Sequence, residues 1–334
     1  MKLLHAIIGL VGVGSALAAP AVDTPTTKRA SKFQFVGVNQ AGAEFGNKDL
    51  PGTLGKQYTW PVRSTIDTLV SKGFNAFRIA FMMERLVPNK LNGALDATYS
   101  QALQDIVQYV TSKGAYAIID PHNFGRYYDK IITDTDGFKT WWTTVAKPFA
   151  ANDKVIFDTN NEYHDMDQSL VLRLNQAAID GIRAAGATSQ YIFVEGNSWS
   201  GAWTWSATNS NLKDLKDASD KIVYEMHQYL DADGSGTNET CVSRTIGAER
   251  LRDATAWLKS NGKKAVLGET AGGANAQCLA ALTGMLGYMQ QNSDVWTGWL
   301  WWAGGPWWAD YMFSMEPPSG TAYTKVLPSL QPYI

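Results

Sequence analysis

The sequence lacks a marked excess of charge of either sign. Its 334 residues include 29 Lys and Arg and 31 Asp and Glu, which gives a formal net charge of −2. No basic stripe indicates a nucleic-acid partner, and no acidic tail indicates a charged one. We therefore expect a substrate that is neutral, or one that is held by contacts other than ion pairs.

Long apolar runs are absent beyond the N-terminal segment, so we expect no membrane-spanning helix in the mature chain. At the N-terminus, Lys2 precedes a short apolar run and then small residues. This order predicts a signal peptide of residues 1–18 and an exported, extracellular protein. Residues 19–29 are polar and end in Lys28-Arg29, a dibasic pair that predicts a propeptide. The folded domain is then expected to occupy residues 30–334.

Cysteine is scarce: Cys241 and Cys278 are the only two. In an oxidising exterior we expect them to form a disulfide with each other, the alternative being two buried free thiols. Asn238-Glu239-Thr240 is the only N-x-Ser/Thr sequon, so Asn238 is a candidate glycosylation site in a surface loop.

Aromatic residues, by contrast, are abundant, with 13 Trp, 14 Tyr and 12 Phe. Five tryptophans between residues 299 and 308 are too closely spaced to serve the core alone. A flat apolar ring with a polar edge suits the C–H face of a sugar. The tryptophans therefore indicate a carbohydrate ligand.

From residue 33 onward, short apolar runs rich in β-forming residues alternate with amphipathic stretches of helical period. The predicted strands cover residues 33–39, 75–81, 116–121, 155–160, 191–195, 222–226, 265–268 and 295–301. The predicted helices cover residues 61–72, 99–112, 138–150, 169–185, 248–260 and 277–291, and the one after the fifth strand is poorly defined. Eight such units predict a single-domain α/β protein with the (β/α)₈ TIM barrel fold. An open doubly wound sheet is the alternative, but no glycine-rich phosphate loop follows the first strand.

Polar residues stand where the apolar runs end. Barrel enzymes act at the C-terminal ends of their strands, so these side chains are candidates for a common site. They are Arg78, Asp120, His122, Asn123, Asn160, Asn161, Glu162, Glu195, Asn197, Glu225, His227, Tyr229, Glu269 and Trp302. Charged groups are costly to bury unless they are paired, so core packing alone does not account for the convergence.

Two of these residues fit the cleavage of a glycosidic bond, which needs a carboxylic acid and a carboxylate on either side of the sugar. Glu162 and Glu269 end the fourth and seventh predicted strands and should face each other across the barrel mouth. We expect their carboxyl groups about 5–5.5 Å apart, the spacing that gives retention of configuration. Glu195 and Glu225 are alternatives, but they precede the strand ends and are interpreted as structural groups paired with a cation or an amide.

Nearly the whole chain from residue 33 resembles glycoside hydrolase family 5, and especially its fungal endoglucanases. The resemblance is carried in order by Phe77-Arg78-Ile79, residues 120–127, Asn161-Glu162, residues 227–229, Gly268-Glu269-Thr270 and residues 302–306. One departure is Tyr163, where many members have proline after the acid/base glutamate. It changes the backbone after Glu162 and leaves the carboxyl group in place.

The resemblance implies that Glu162 is the acid/base and Glu269 the nucleophile. Arg78 should favour the ionised form of Glu269, and Tyr229 can donate a hydrogen bond to it. The negative charge on Glu269 should in turn keep Glu162 protonated until the covalent intermediate removes that charge.

Substrate-binding and supporting roles are expected for the other residues. Asn161 should bind the 2-hydroxyl of the sugar, although it could instead satisfy only the backbone. His122 should orient the sugar or Arg78, and His227 should hold the site near Glu269. The remaining expectations are sugar stacking on Trp302, a sugar contact from Asn39, and Trp199 and Trp203 on the leaving-group side.

The resemblance as a whole implies a secreted, monomeric endo-β-1,4-glucanase that acts on β-1,4-glucan by double displacement. No cofactor, nucleic-acid or membrane partner is expected. A metal site is the alternative role for His122 and His227, but no cysteine or third histidine stands at a suitable spacing. The alternative functions are an endo-β-1,4-mannanase or another β-glucan hydrolase on the same site, and a non-catalytic carbohydrate-binding barrel.

Overall fold

A computed structural model describes residues 33–334, so the predicted signal peptide and propeptide lie outside the described residues. Eight parallel strands close into a barrel in which each strand pairs with the next and the last pairs with the first. In chain order, strands β1 to β8 are Phe35–Ala43, Ala76–Phe81, Tyr116–Pro121, Val155–Asp158, Ile192–Glu195, Ile222–His227, Ala265–Glu269 and Trp296–Gly304. The predicted (β/α)₈ fold is confirmed.

Helices connect the strands on the outside of the barrel. Helices α1 to α8 are Arg63–Ser71, Ala97–Ser112, Thr135–Ala146, Gln168–Ala184, Trp205–Thr208, Ile246–Asn261, Ala276–Gln291 and Thr321–Lys325. Short helical turns lie at Met83–Leu86, Lys147–Phe149, Ala202–Thr204, Ser210–Asp214, Leu327–Leu330 and Gln331–Tyr333, and a small hairpin pairs Arg126–Tyr127 with Lys130–Ile131. The connection that the sequence left undefined, after β5, consists only of such turns and the one-turn helix α5.

Side-chain caps explain why several helices begin earlier than predicted. Helix α3 starts at residue 135 because the Asp134 carboxylate accepts the Gly137 N–H at 2.8 Å. The prediction of a start at residue 138 followed the apolar periodicity, which begins only after this polar first turn. Asp96 and Asp167 cap α2 and α4 in the same way.

The interior of the barrel is layered because alternate residues of a strand face the same side. Its floor is one apolar side chain from each strand: Phe35, Ala76, Ile118, Ile156, Phe193, Val223, Val266 and Leu300. Two residues further along β2 to β6, in the same order, stand Arg78, Asp120, Asp158, Glu195 and Glu225, all fully buried. We call these five residues the polar layer. The floor closes the barrel below, and the polar layer faces the catalytic end.

The C-terminal tryptophans divide between core and surface, as their density indicated. Trp299 and Trp301 are fully buried, whereas Trp302 is half-buried and Trp307 is exposed. Within residues 33–334, no helix combines the length and the apolar character that crossing a bilayer requires.

Cys241 and Cys278 form the predicted disulfide, which joins the loop after β6 to the first turn of α7. Both cysteines are buried. Asn238 is exposed three residues before the bridge, so its side chain is accessible in the loop. The bridge thus pins the loop that follows His227 and Tyr229.

Replacing both cysteines, Cys241→Ala with Cys278→Ala, should lower the free energy of unfolding by about 2–4 kcal/mol. The bridge closes a loop with a sequence separation of 37 residues, so its loss enlarges the unfolded ensemble. Denaturant unfolding monitored by tryptophan fluorescence measures this. The neighbouring exposed Val242→Ala should change stability by less than about 0.5 kcal/mol. A double variant as stable as the parent would contradict the stabilising role assigned to the disulfide.

Candidate active site

Arg78, in the middle of β2, is the centre of the site and is fully buried. Its guanidinium lies within 3.0 Å of carboxylate oxygens from five different strands. Those carboxylates are Asp120, Asp158, Glu195, Glu225 and Glu269. One cation thus connects β3, β4, β5, β6 and β7 to β2 beneath the barrel mouth.

Glu162 and Glu269 face each other as the sequence predicted. An oxygen of each carboxyl group and a ring nitrogen of His227 lie within 4.8 Å of one another. Both side chains reach the cleft, at 15% and 5% exposure respectively. This proximity fits the short separation of a retaining glycosidase better than the 6.5–9.5 Å or so of an inverting one.

Glu269 is held by two hydrogen-bond donors. Arg78 Nη1 donates to its Oε1 at 3.0 Å, and the Tyr229 hydroxyl donates to its Oε2 at 2.7 Å. Burial raises the pKa of Glu269, the Glu162 carboxylate raises it further, and His227, Arg78 and His122 lower it. Arg78 therefore acts in the expected direction, but burial outweighs it and the net shift is upward.

His227 contacts both glutamates unequally. Its Nδ1 lies 2.7 Å from Glu162 Oε1 and 3.7 Å from Glu269 Oε2. Burial opposes its charged form, but the Glu269 and Glu195 carboxylates outweigh that effect and raise the pKa of His227 well above its ordinary value. The sequence predicted that His227 would hold the site near Glu269. In the structure, the shortest of these contacts of His227 is instead the one with Glu162, the predicted acid/base.

His122 reaches Arg78 through an intermediary. Its Nδ1 lies 2.8 Å from Asp120 Oδ2, and that same oxygen lies 3.0 Å from Arg78 Nη1. Burial disfavours the imidazolium, yet Asp120 and more distant carboxylates prevail and raise the pKa of His122 to about 9. The ring also stacks on Trp302, with centroids 5.2 Å apart and planes at 18°. His122 therefore supports both the cation and the tryptophan.

Two cavities open at the catalytic end of the barrel. One of about 480 Å³ is lined by Glu162, Trp199, Trp203 and Tyr229 together with the loop after β6. The other, of about 360 Å³, lies beside His122 and is lined mainly by polar side chains of the loops after β1 and β3. Glu162 thus opens into the first cavity, and the second lies at the end of the neighbouring strand β3, beside His122.

The model of the family Cellulase (glycosyl hydrolase family 5) matches residues 38–305. The chain belongs to glycosyl hydrolase family 5. The matched segment contains every strand from β2 to β8 and both predicted catalytic glutamates.

Named relatives of this family 5 protein are similar over long stretches. It is 61% identical over 334 residues to "Probable endo-beta-1,4-glucanase B" of Neosartorya fischeri, covering 100% of both chains. It is 63% identical over 293 residues to "Endoglucanase gh5-1" of Neurospora crassa, covering 88% of this chain and 75% of that one. Among solved structures, XacCel5A in complex with cellopentaose matches with a TM-score of 0.87 and 37% identity, covering 90% of this chain and 99% of that one.

In the site of this family 5 protein, Asn39 and Asn161 differ in how many of their side-chain polar atoms are hydrogen-bonded to the protein. Asn39 is fully buried, donates to the Gly268 and Trp301 carbonyls, and accepts from Arg78 at 3.0 Å. The polar atoms of Asn39 are thus already used by the protein, which favours a supporting role over the expected sugar contact. Asn161 accepts from Arg78 Nη2 at 2.8 Å, while its Nδ2 has no partner within the described part of the chain.

Two features of the site were not found from the sequence. Asp158 was read as the interior of an apolar strand, yet its Oδ2 accepts from Arg78 Nε at 2.8 Å. Gly268 stands in β7 where a Cβ would lie 1.8 Å from Glu225 Oε1. The alternation of floor and polar-layer positions along each strand is the signal that could have found both.

His227 also belongs to two triads whose ligand atoms lie within 4.8 Å of one another, with Glu162 and Glu269 and with Glu195 and Glu225. These are the residues that could hold a metal ion. The central guanidinium already supplies positive charge to three of the four glutamates. We therefore interpret both triads as ion-paired and hydrogen-bonded groups.

Glu44, just after β1, makes stability depend on pH. Burial raises the pKa of Glu44 from 4.5 to about 7, with His122 opposing the shift. Because folding raises this pKa, the stabilisation is complete below about pH 4.5 and is lost as the pH rises through 7. Glu44→Gln should therefore gain up to about 3 kcal/mol relative to the parent between these limits. Unfolding free energies measured from pH 4 to 8 test this.

Glu44→Gln can keep the hydrogen bond that Glu44 Oε2 accepts from the Gly42 N–H at 2.7 Å. The exposed Glu239→Gln is the control and should follow the parent across the range. If the unfolding free energies of Glu44→Gln and the parent differed by the same amount at every pH from 4 to 8, the prediction would be contradicted.

Proposed function

We propose that this family 5 protein is an endo-β-1,4-glucanase that hydrolyses internal bonds of cellulose and related β-glucans with retention of configuration. The observation that carries the proposal is the facing pair Glu162 and Glu269, whose oxygens lie within 4.8 Å at the barrel mouth. The names of the relatives and the cellopentaose bound by XacCel5A support the choice of substrate.

In the first step, a Glu269 oxygen attacks the anomeric carbon as the glycosidic C–O bond breaks. The Glu162 proton passes to the departing oxygen, so that the leaving chain departs as a neutral alcohol. Arg78 and the Tyr229 hydroxyl contact the two Glu269 oxygens at 3.0 and 2.7 Å and hold the carboxylate for the attack. The product of the step is a glycosyl ester on Glu269.

In the second step, the ester has removed the negative charge of Glu269. Glu162 now takes a proton from water, and the water oxygen attacks the anomeric carbon and releases Glu269. His227, at 2.7 Å from Glu162, keeps the same carboxyl group in place for both steps. Two inversions at one carbon leave the configuration unchanged.

Substrate contacts surround this pair. The Nδ2 of Asn161 is buried and has no hydrogen-bond partner among residues 33–334, and it is the donor that we assign to the 2-hydroxyl of the sugar at the cleavage point. Trp302 supplies a stacking surface there, fixed against His122. Trp199 and Trp203, which are 49% and 41% exposed, line the cavity that contains Glu162 and so receive the leaving group. The open cleft suits bonds in the middle of a chain.

Export through the signal peptide of residues 1–18 and removal of the propeptide ending at Arg29 belong to the same proposal, as do a monomeric state and a glycan on Asn238. Their support is the sequence pattern and, for Asn238, exposure of the side chain. N-terminal sequencing and the mass of the secreted protein determine all but the monomeric state.

Reducing-end release should be faster on carboxymethylcellulose and xyloglucan than on galactomannan, because the 2-hydroxyl that we assign to Asn161 is equatorial in the glucose backbone and axial in the mannose backbone. Viscosity should fall well before most reducing ends appear, as internal cleavage requires. NMR of early products should show the β-anomer. Glu269→Gln should lower kcat by at least about a thousandfold while oligosaccharide binding persists.

Faster release from galactomannan would replace the proposal with the mannanase alternative. A parent protein that binds oligosaccharides without hydrolysing them, and whose binding Glu269→Gln leaves unchanged, would instead indicate a carbohydrate-binding barrel. The α-anomer as first product would contradict the two-step mechanism.

A further inference from the structure

Glu195, at the end of β5, lies directly beneath the predicted acid/base and is fully buried. Its Oε2 accepts the backbone N–H of Glu162 at 2.7 Å. Its Oε1 lies 2.8 Å from Arg78 Nη2 and 3.6 Å from His227 Nε2. The reaction as described above uses none of its atoms.

The backbone of Glu162 needs such support. Its φ of 45° is in the left-handed region, which a residue with a side chain rarely adopts and which costs on the order of 1–3 kcal/mol. A buried N–H must also find an acceptor. The Glu195 carboxyl supplies that acceptor and so helps to fix the conformation that points Glu162 at the cleft.

The side chain of Glu162 is anchored at a second point by the same cluster. His227 Nδ1 contacts Glu162 Oε1 at 2.7 Å, and the opposite ring nitrogen faces Glu195. Glu195 therefore contacts the Glu162 backbone directly, and it lies next to His227, which contacts the Glu162 side chain. It reaches Glu269 only through intermediaries: Arg78, which hydrogen-bonds both carboxyl groups, and His227, whose two ring nitrogens lie 3.6 Å from Glu195 and 3.7 Å from Glu269.

The charge of Glu195 guides the choice of a variant. Burial raises the pKa of Glu195 to about 8, although His227 and Arg78 lower it, and Glu225 and Asp120 raise it further. Both Glu195 oxygens accept hydrogen bonds, and glutamine matches the side chain in size but cannot carry its negative charge. It offers one acceptor oxygen where the carboxyl offers two, so it cannot satisfy both Arg78 and the Glu162 N–H.

We propose that Glu195 is a positioning residue for Glu162, and that it acts on protonation of the leaving group rather than on attack by Glu269. The inference rests on the proposed function. It predicts that loss of Glu195 affects substrates in proportion to their need for acid catalysis.

Aryl β-cellobiosides separate these two effects. A 2,4-dinitrophenolate departs without a proton, whereas a methylumbelliferyl or sugar leaving group needs one from the general acid. Both substrates require the same attack by Glu269. The parameter kcat/KM reports the first step, which forms the covalent intermediate.

Glu195→Gln should lower kcat/KM for the methylumbelliferyl substrate by about tenfold or more, and for the dinitrophenyl substrate by less than about threefold. Glu195→Asp keeps the carboxylate but shortens its reach to the Glu162 N–H, and should show the same selectivity. It provides the test if Glu195→Gln does not fold, which thermal unfolding would reveal.

Glu225→Gln is the matched control. Glu225 lies 3.0 Å from Arg78 Nε and 3.6 Å from His227 Nε2, but it does not contact the Glu162 backbone. This variant should affect both substrates alike. Equal losses on both substrates for the Glu195 variants, or the same selectivity in Glu225→Gln, would overturn the inference. Failure of the parent to cleave either substrate would instead overturn the proposed function.

Discussion

The buried guanidinium of Arg78 is the constraint on which the rest of the site depends. An isolated buried cation costs several kcal/mol, and Arg78 offsets this with carboxylates from five strands. Removing one partner leaves charge uncompensated in a medium that water does not reach. The electrostatics of the site and the closure of the barrel at its catalytic end therefore cannot be varied independently.

Carboxyl groups outnumber cations in this cluster, and the imbalance has a consequence. Arg78, His122 and His227 cannot neutralise every acid around them, so the cluster retains protons at neutral pH. Burial and the Glu225 carboxylate raise the pKa of Asp158 well above its ordinary value, against the effect of Arg78. Glu269 differs from the polar layer because it reaches the cleft, where Tyr229 gives its second oxygen a donor. Its charge can thus form and disappear while the layer beneath keeps its arrangement.

The sequence was sufficient for the barrel and for the outer members of the site, because both depend on local pattern. Apolar runs marked the strands, and polar residues after them marked Glu162, Glu269 and His227. It was insufficient where a role depends on a partner from another strand. Asn39 looked like a sugar ligand only because nothing in the sequence shows that Arg78 and two carbonyls use its side chain. Asp158 was overlooked because a single acid in an apolar run does not reveal the cation it faces.

Gly268 shows how the alternation of layers extends to a residue without a side chain. It occupies the polar-layer position of β7, two residues after the floor residue Val266. A Cβ there would lie 1.8 Å from Glu225 Oε1, so the neighbouring strand's carboxyl fills the space that β7 leaves empty. Because Glu269 follows at once, a side chain at this position would displace the contacts of Arg78 on both sides. Glycine at this point allows β6 and β7 to bring one carboxyl each to the same guanidinium.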